Sequence, residues 1–209
     1  MKVFKYGDLT SPIILVQAVD DYGIKTMEQE MEQIRNLTTQ NFGLIAVKVD
    51  DWNTDLSPWK APAAFGKEDF GGGAQRTLSE IEKVCTDPGK IYYIGGYSLA
   101  GLFALWAACE TELFAGVAAA SPSVWYPDFL NYVKKQKPKC GAVYLSLGDK
   151  EEKTKNQMMA RVGDCIRECR ELFSGQGIDC TLEWNPGNHF RDADRRTAKA
   201  FAWLLGCES

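Results

Sequence analysis

A single histidine, His189, occurs among the 209 residues. That scarcity removes most zinc chemistry, because a His-based site needs a second imidazole. The seven cysteines are odd in number and form no Cys-x-x-Cys pair. They fit reduced thiols better than a disulfide framework or a thiolate metal site. Cys165 and Cys169 stand four apart, on the stripe Met158, Val162, Cys165, Ile166, Cys169, Leu172, Phe173. That spacing is the buried face of an amphipathic helix, so core thiols are expected and no metal. Basic blocks are missing and the net charge is −4, which argues against a nucleic-acid partner. No apolar run is long enough to span a bilayer, and residues 1–12 lack the apolar centre of a signal peptide. A cytoplasmic protein without membrane association is therefore expected. Repeats, low-complexity tracts and linkers are absent as well, and 45% of residues are hydrophobic. Residues 1–209 thus read as one globular domain with a full-sized core.

What is present is an alternation of strand and helix. Apolar, β-branched runs at 12–19, 44–49, 91–94, 114–120, 142–147 and 180–184 read as buried strands, with 3–6 a short edge strand. Helical patterns fall at 27–39, 74–85, 99–106, 127–136, from shortly after Gly148 to about 173, and at 191–205. This order predicts an α/β fold, a mostly parallel sheet with helices on both faces. Residues 50–73 have no clear period, yet carry Trp52, Trp59, Phe65 and Phe70. A loop of that length and content is expected to be ordered and packed over something.

The chain is organised around Ile91–Trp106, in which a strand turns into an apolar helix through Gly95, Gly96, Tyr97 and Ser98. Gly96-Tyr97-Ser98-Leu99-Ala100 fits the nucleophile elbow G-x-S-x-G, with Ala at a last position that needs only a small residue. A serine there is held in a strained turn, its hydroxyl exposed and its neighbour's N–H at a helix N-terminus. Two plainer readings compete. Ser98 could merely cap the helix, or Gly96, Ser98 and Gly101 could be a degraded dinucleotide fingerprint. The second fails on context, since that fingerprint belongs in the first βαβ unit with an acidic residue closing the next strand.

A serine hydroxyl needs a base, itself oriented by a carboxylate. Elbow hydrolases carry these in the order Ser, acid, His. Here Ser98 is followed by acids after the next-to-last strand and by His189 after the last strand. Glu151, fourth in Gly148-x-x-Glu151, is the candidate acid; Asp149, Glu152 and the earlier Asp128 stay as alternatives. The oxyanion donors expected are the N–H of Leu99 and one from Val19 or Asp20, in the loop after the 12–19 strand. Trp59, Tyr97 and Trp125 are the candidates to line a substrate pocket.

With these residues assembled, the chain resembles the esterase branch of the α/β-hydrolases that includes S-formylglutathione hydrolase (esterase D) and the enterochelin esterases. The likeness rests on Gly96-Tyr97-Ser98-Leu99-Ala100-Gly101, Leu56-Ser57-Pro58-Trp59, Ser121-Pro122-Ser123-Val124-Trp125, Gly148-x-x-Glu151 and Gly187-Asn188-His189. It implies a three-layer α/β-hydrolase fold with a minimal cap. It also implies a serine esterase that acts on a small-molecule ester without a cofactor. Acyl transfer to an alcohol by the same residues, or a hydrolase-fold binding protein without catalysis, are the other functions this sequence can carry.

Overall fold

The structure, a computed structural model, describes residues 1–64 and 66–206. Phe65, one of the aromatics expected in the long loop, and Cys207 lie outside the described residues. In chain order the elements are β1 (Lys2–Gly7), β2 (Ile13–Val19), α1 (Asp21–Arg35), β3 (Gly43–Lys48), α2 (Trp52–Asp55), β4 (Lys60–Ala61), β5 (Phe70–Gly71), α3 (Ala74–Glu82) and β6 (Ile91–Tyr97). They continue with α4 (Leu99–Glu110), β7 (Phe114–Ala120), α5 (Phe129–Lys135), β8 (Ala142–Gly148), α6 (Gln157–Ala160), α7 (Val162–Gly175), β9 (Asp179–Asn185) and α8 (Ala193–Gly206).

Seven strands form one sheet in the order β1-β3-β2-β6-β7-β8-β9. Only β1 runs antiparallel, at the edge beside β3; the others pair in parallel. Residues of one strand alternate between faces. Val16, Ile45, Ile94 and Val117 pack with α3, α4, α5 and α7, whereas Leu15, Leu44, Tyr93 and Ala118 pack with α1 and α8. The result is three layers. Every residue of α4 from Leu99 to Cys109 is buried, as a helix apolar all round must be.

Several boundaries differ from the sequence pattern. α1 starts at Asp21, six residues before the first periodic apolar position, because the Asp20 carboxylate caps it by accepting the Gly23 N–H at 2.8 Å. Residues 20–23, read as a loop, are thus its cap and first turn. Within 50–73 the chain makes α2, capped by Asp51, and the small β4–β5 ladder. Buried Phe70 ties this segment to Trp125 and Tyr126. Downstream of Gly148 the expected single helix is broken. A 3₁₀ turn spans Glu151–Lys153, Thr154 is extended, and Asn156 caps α6 by accepting from the N–H groups of Met158 and Met159. Among the described residues, no helix is long and apolar enough to cross a membrane.

Candidate active site

Sheet order puts the exits of β6, β8 and β9 along one edge. The chain order reverses between β2 and β6, and ligands of open α/β sheets bind outside such a switch point. Ser98 leaves β6 with φ 58° and ψ −119°, a left-handed conformation costly for a residue with a Cβ. It is held there by its N–H on the Ala120 carbonyl and its own carbonyl on the N–H groups of Leu102 and Ser123. The sharp turn needs Gly96, where a Cβ would stand 2.7 Å from that of Ala100. Alanine is accommodated at position 100 because residue 96 has no side chain.

Three side chains meet in a line. His189 Nε2 lies 2.9 Å from Ser98 Oγ, and His189 Nδ1 lies 2.6 Å from Glu151 Oε2. An ionised carboxylate only accepts, so Nδ1 carries the proton and Nε2 accepts from the Ser98 hydroxyl. The other oxygen of Glu151, Oε1, accepts from Gly148 N at 2.7 Å, Ser121 Oγ at 2.7 Å and Arg196 Nη1 at 2.9 Å. Burial alone would raise the Glu151 pKa; the bonds from His189, Ser121 and Gly148 outweigh it and hold the group below the usual carboxylate range. The 3₁₀ turn is what folds Glu151 back onto Gly148. A Cβ on Gly148 would collide with the Gly187 carbonyl and crowd Glu151 and Arg196.

The other acids stand elsewhere. Asp149 accepts the Gly187 N–H at 2.7 Å and so braces the loop that carries His189. Glu152 pairs with Arg167 at the surface. Asp128, in a left-handed turn ahead of α5, is within reach of Asn131.

Sequence patterns did not single out Arg196. It is 2% exposed, and besides Glu151 its guanidinium reaches the Tyr97 and Ser121 hydroxyls and the carbonyls of Pro186 and Asn188. The available signal was an arginine on the apolar face of α8, four residues before buried Ala200. Ser121 and Ser123 gain roles too: Ser121 contacts the acid, and Ser123 Oγ sits 3.4 Å from Ser98 Oγ.

Of the expected pocket aromatics, Tyr97 lines a second cavity at the end of β2, and Trp125 stands beside His189. It lines a cavity of about 260 Å³ beside His189 and Glu151, with Lys150, Thr154, Met159, Val162 and Phe190. Trp59 lies outside that cavity. Its ring packs on Tyr126 and Tyr132, its Nε1–H donates to the Pro127 carbonyl at 3.0 Å, and it faces a separate depression near Lys134. Apolar burial and a satisfied N–H hold it as a clasp between loops. Tyr97 also positions the His189 loop: its hydroxyl donates to the His189 carbonyl at 2.6 Å.

Leu99 opens α4, whose N-terminus receives no side-chain cap, so its N–H is not consumed by one. Val19 and Asp20, at the end of β2, share a second cavity with Tyr97 and Ala100. Val19 gives its carbonyl to Val49 N–H and Asp20 its carboxylate to α1. The described cysteines are free, and burial pushes Cys85, Cys109 and Cys180 up to about 12. They are poor nucleophiles. Among the described residues, no cluster of three His, Cys, Asp or Glu side chains is placed to hold a metal ion.

No protein-family model matches the sequence, and no curated protein does. Solved structures do match. The IroE-like serine hydrolase of Shewanella oneidensis superposes with a TM-score of 0.76 over 97% of this chain and 74% of its own, at 15% identity. The siderophore hydrolase EstA of Aspergillus nidulans gives 0.64 over 98% and 90%, at 18% identity. The carboxylesterase of Bacillus cereus gives 0.59 over 98% and 94%, at 13% identity. At such identities the likeness is one of architecture, and with the layers and elbow above it shows that the chain has the α/β-hydrolase fold.

Proposed function

We propose that this protein is a serine hydrolase that cleaves carboxylic esters through an acyl-Ser98 intermediate. The observation that carries the reading is the continuous hydrogen-bonded line from Ser98 through His189 to Glu151. The fold matches of the preceding section, to a serine hydrolase, a siderophore hydrolase and a carboxylesterase, support the same class.

In this reading Ser98 Oγ attacks the ester carbonyl while His189 Nε2 takes its proton. The imidazolium that forms is stabilised by Glu151, whose charge is kept in place by Arg196, Ser121 and Gly148 N–H. The carbonyl oxygen, now an oxyanion, is met by the Leu99 N–H and by a second N–H from the Val19–Asp20 segment. Collapse breaks the ester bond, and the departing alcohol takes the proton from Nε2. Water then repeats the sequence on the acyl-enzyme and releases the acid. Trp125, Met159 and Val162 form an apolar wall for a small group next to His189.

The steady-state pH profile with p-nitrophenyl acetate tests this reading. A base must be neutral to accept the serine proton, so kcat/KM should rise with pH through one ionisation. His189→Ala should remove that ionisation and nearly all activity, on the order of a thousandfold or more. Activity that survives with its pH dependence intact would refute the proposal, since no other histidine exists in the chain.

A further inference from the structure

The two cavities lie on opposite sides of β6 in the sheet, the first beyond β7 at the β8–β9 exits and the second at the β2 exit. The mechanism above uses the second, of about 160 Å³, only at its rim. At its wall, Gln17 of β2 and Glu30 of α1 are each 5% exposed. Among the described residues, Gln17 Oε1 and Glu30 Oε1 find no hydrogen-bond partner. Gln17 Oε1 only accepts, and Glu30 Oε1 accepts once the carboxyl has lost its proton; a buried acceptor left unpaired is costly. Whatever fills the space must bring donors.

The lining also specifies a charge. Its titratable groups are Asp20, Glu30, Asp194, Tyr22 and Tyr97, and among the described residues no Lys, Arg or His lines it. Asp20, which also caps α1, and Asp194 carry negative charge there, and Glu30 adds its own when it ionises. Burial, followed by the charge of Asp194, pushes the Glu30 carboxyl up to about 8, with the Gln17 side chain pulling it partway back. A carboxyl in that state lacks a cation. Trp52, Tyr22 and Tyr97 line it as well, and aromatic side chains attract cations further. An alkylammonium meets both requirements, with several N–H donors on one positive centre. A hydroxyl meets the first alone.

We propose that this cavity is a subsite for a protonated amine of the substrate, held by Glu30 and Gln17 next to the nucleophile turn. Tyr97 and Ala100, which flank Ser98, line the same space, so an amine seated there belongs to a molecule within reach of the serine. Naming it a substrate rests on Ser98 being the nucleophile; the ammonium site itself does not.

Isothermal titration of the intact protein with n-butylammonium chloride and with 1-butanol separates the two claims, because neither ligand is turned over. At pH 7 the ammonium should bind at least about tenfold more tightly than the alcohol. Binding should expel up to about one proton, from Glu30, read from heats in buffers of different ionisation enthalpy. Affinity should rise as pH approaches 8, and Glu30→Gln should abolish both the preference and the proton release. Should Glu30→Gln fail to fold, Asp194→Asn, at a partly exposed position, should still weaken ammonium binding about threefold or more. Equal affinities, ammonium binding without proton release, no binding of either ligand, or binding indifferent to both substitutions would overturn the proposal and leave a water-filled cavity.

Discussion

Glu151 accepts from four groups: Gly148 N–H, Ser121, Arg196 and His189. A carboxylate has about four lone-pair sites, so this one is saturated. Replacing either oxygen by an NH₂ group must point a donor at a donor. Glu151→Gln should therefore cut kcat by about 10³ to 10⁴, by analogy with removal of a triad carboxylate elsewhere. Asp149→Asn keeps the oxygen that accepts from Gly187 and should cost less than about tenfold, and Glu152→Gln loses only an exposed ion pair. If Asp149→Asn proves as damaging as Glu151→Gln, the hydrogen-bond line described here is not the working one. Ser98, Glu151 and His189 were legible in the sequence because each follows a strand, and strand exits are easily read from apolar runs. Arg196 was not, because a helical period reports which face is buried and not which buried residue is charged. Trp59 misled for a related reason: a tryptophan beside the site and one that clasps two loops have the same local sequence.

At the scale of elements, six strands of the large sheet were read to within a residue of each end, since a buried strand is a near-continuous apolar run. β6 was cut short at 94 because its last residues, Gly95, Gly96 and Tyr97, look like a turn yet pair with β7. The two-residue β4 and β5 have no pattern to read. Helix starts were less visible. α1 begins at a cap, Asp20, whose neighbours Tyr22 and Gly23 look like a loop. The break after Gly148 depends on the Glu151 carboxylate returning to a backbone N–H, a tertiary contact without a pattern. That turn is a sensitive place. Gly148→Ala would push the Gly187 carbonyl away and tilt the His189 loop, so kcat should fall at least about tenfold with KM little changed. A Gly148→Ala variant with wild-type kcat would mean the close approach of these two loops is dispensable. The loop aromatics divide in the same manner. Trp125→Ala should raise KM or alter acyl-chain preference. Trp59→Ala should lower stability by about 2–4 kcal/mol in urea unfolding, with preference unchanged. The reverse pattern would exchange their roles.

For the molecule as a whole, the sheet order decides how two cavities of opposite character come to flank one serine. Lys150 and Lys153 face the space beyond β7, and Glu30 and Asp194 face the space at β2. The cost of the second arrangement should be visible in stability. Burial pushes the Glu30 carboxyl up to about 8 in the folded protein, well above the ordinary 4.5 of a glutamate, so between these values the folded state holds a proton that the unfolded state has lost. Its contribution is fully present below the lower value and is lost as pH rises through the upper one, on the order of a few kcal/mol. Glu30→Gln cannot ionise, so its Tm relative to wild type should climb by several degrees between pH 5 and pH 9. A Tm difference constant over that range would place Glu30 in contact with water or a cation already. One labelling measurement on the whole protein tests Ser98 as the nucleophile most directly. A fluorophosphonate probe should modify one site, and mass mapping should place the adduct on the peptide containing Ser98, with none in Ser98→Ala or after heat denaturation. An adduct on another residue, or labelling undiminished in Ser98→Ala, would contradict it.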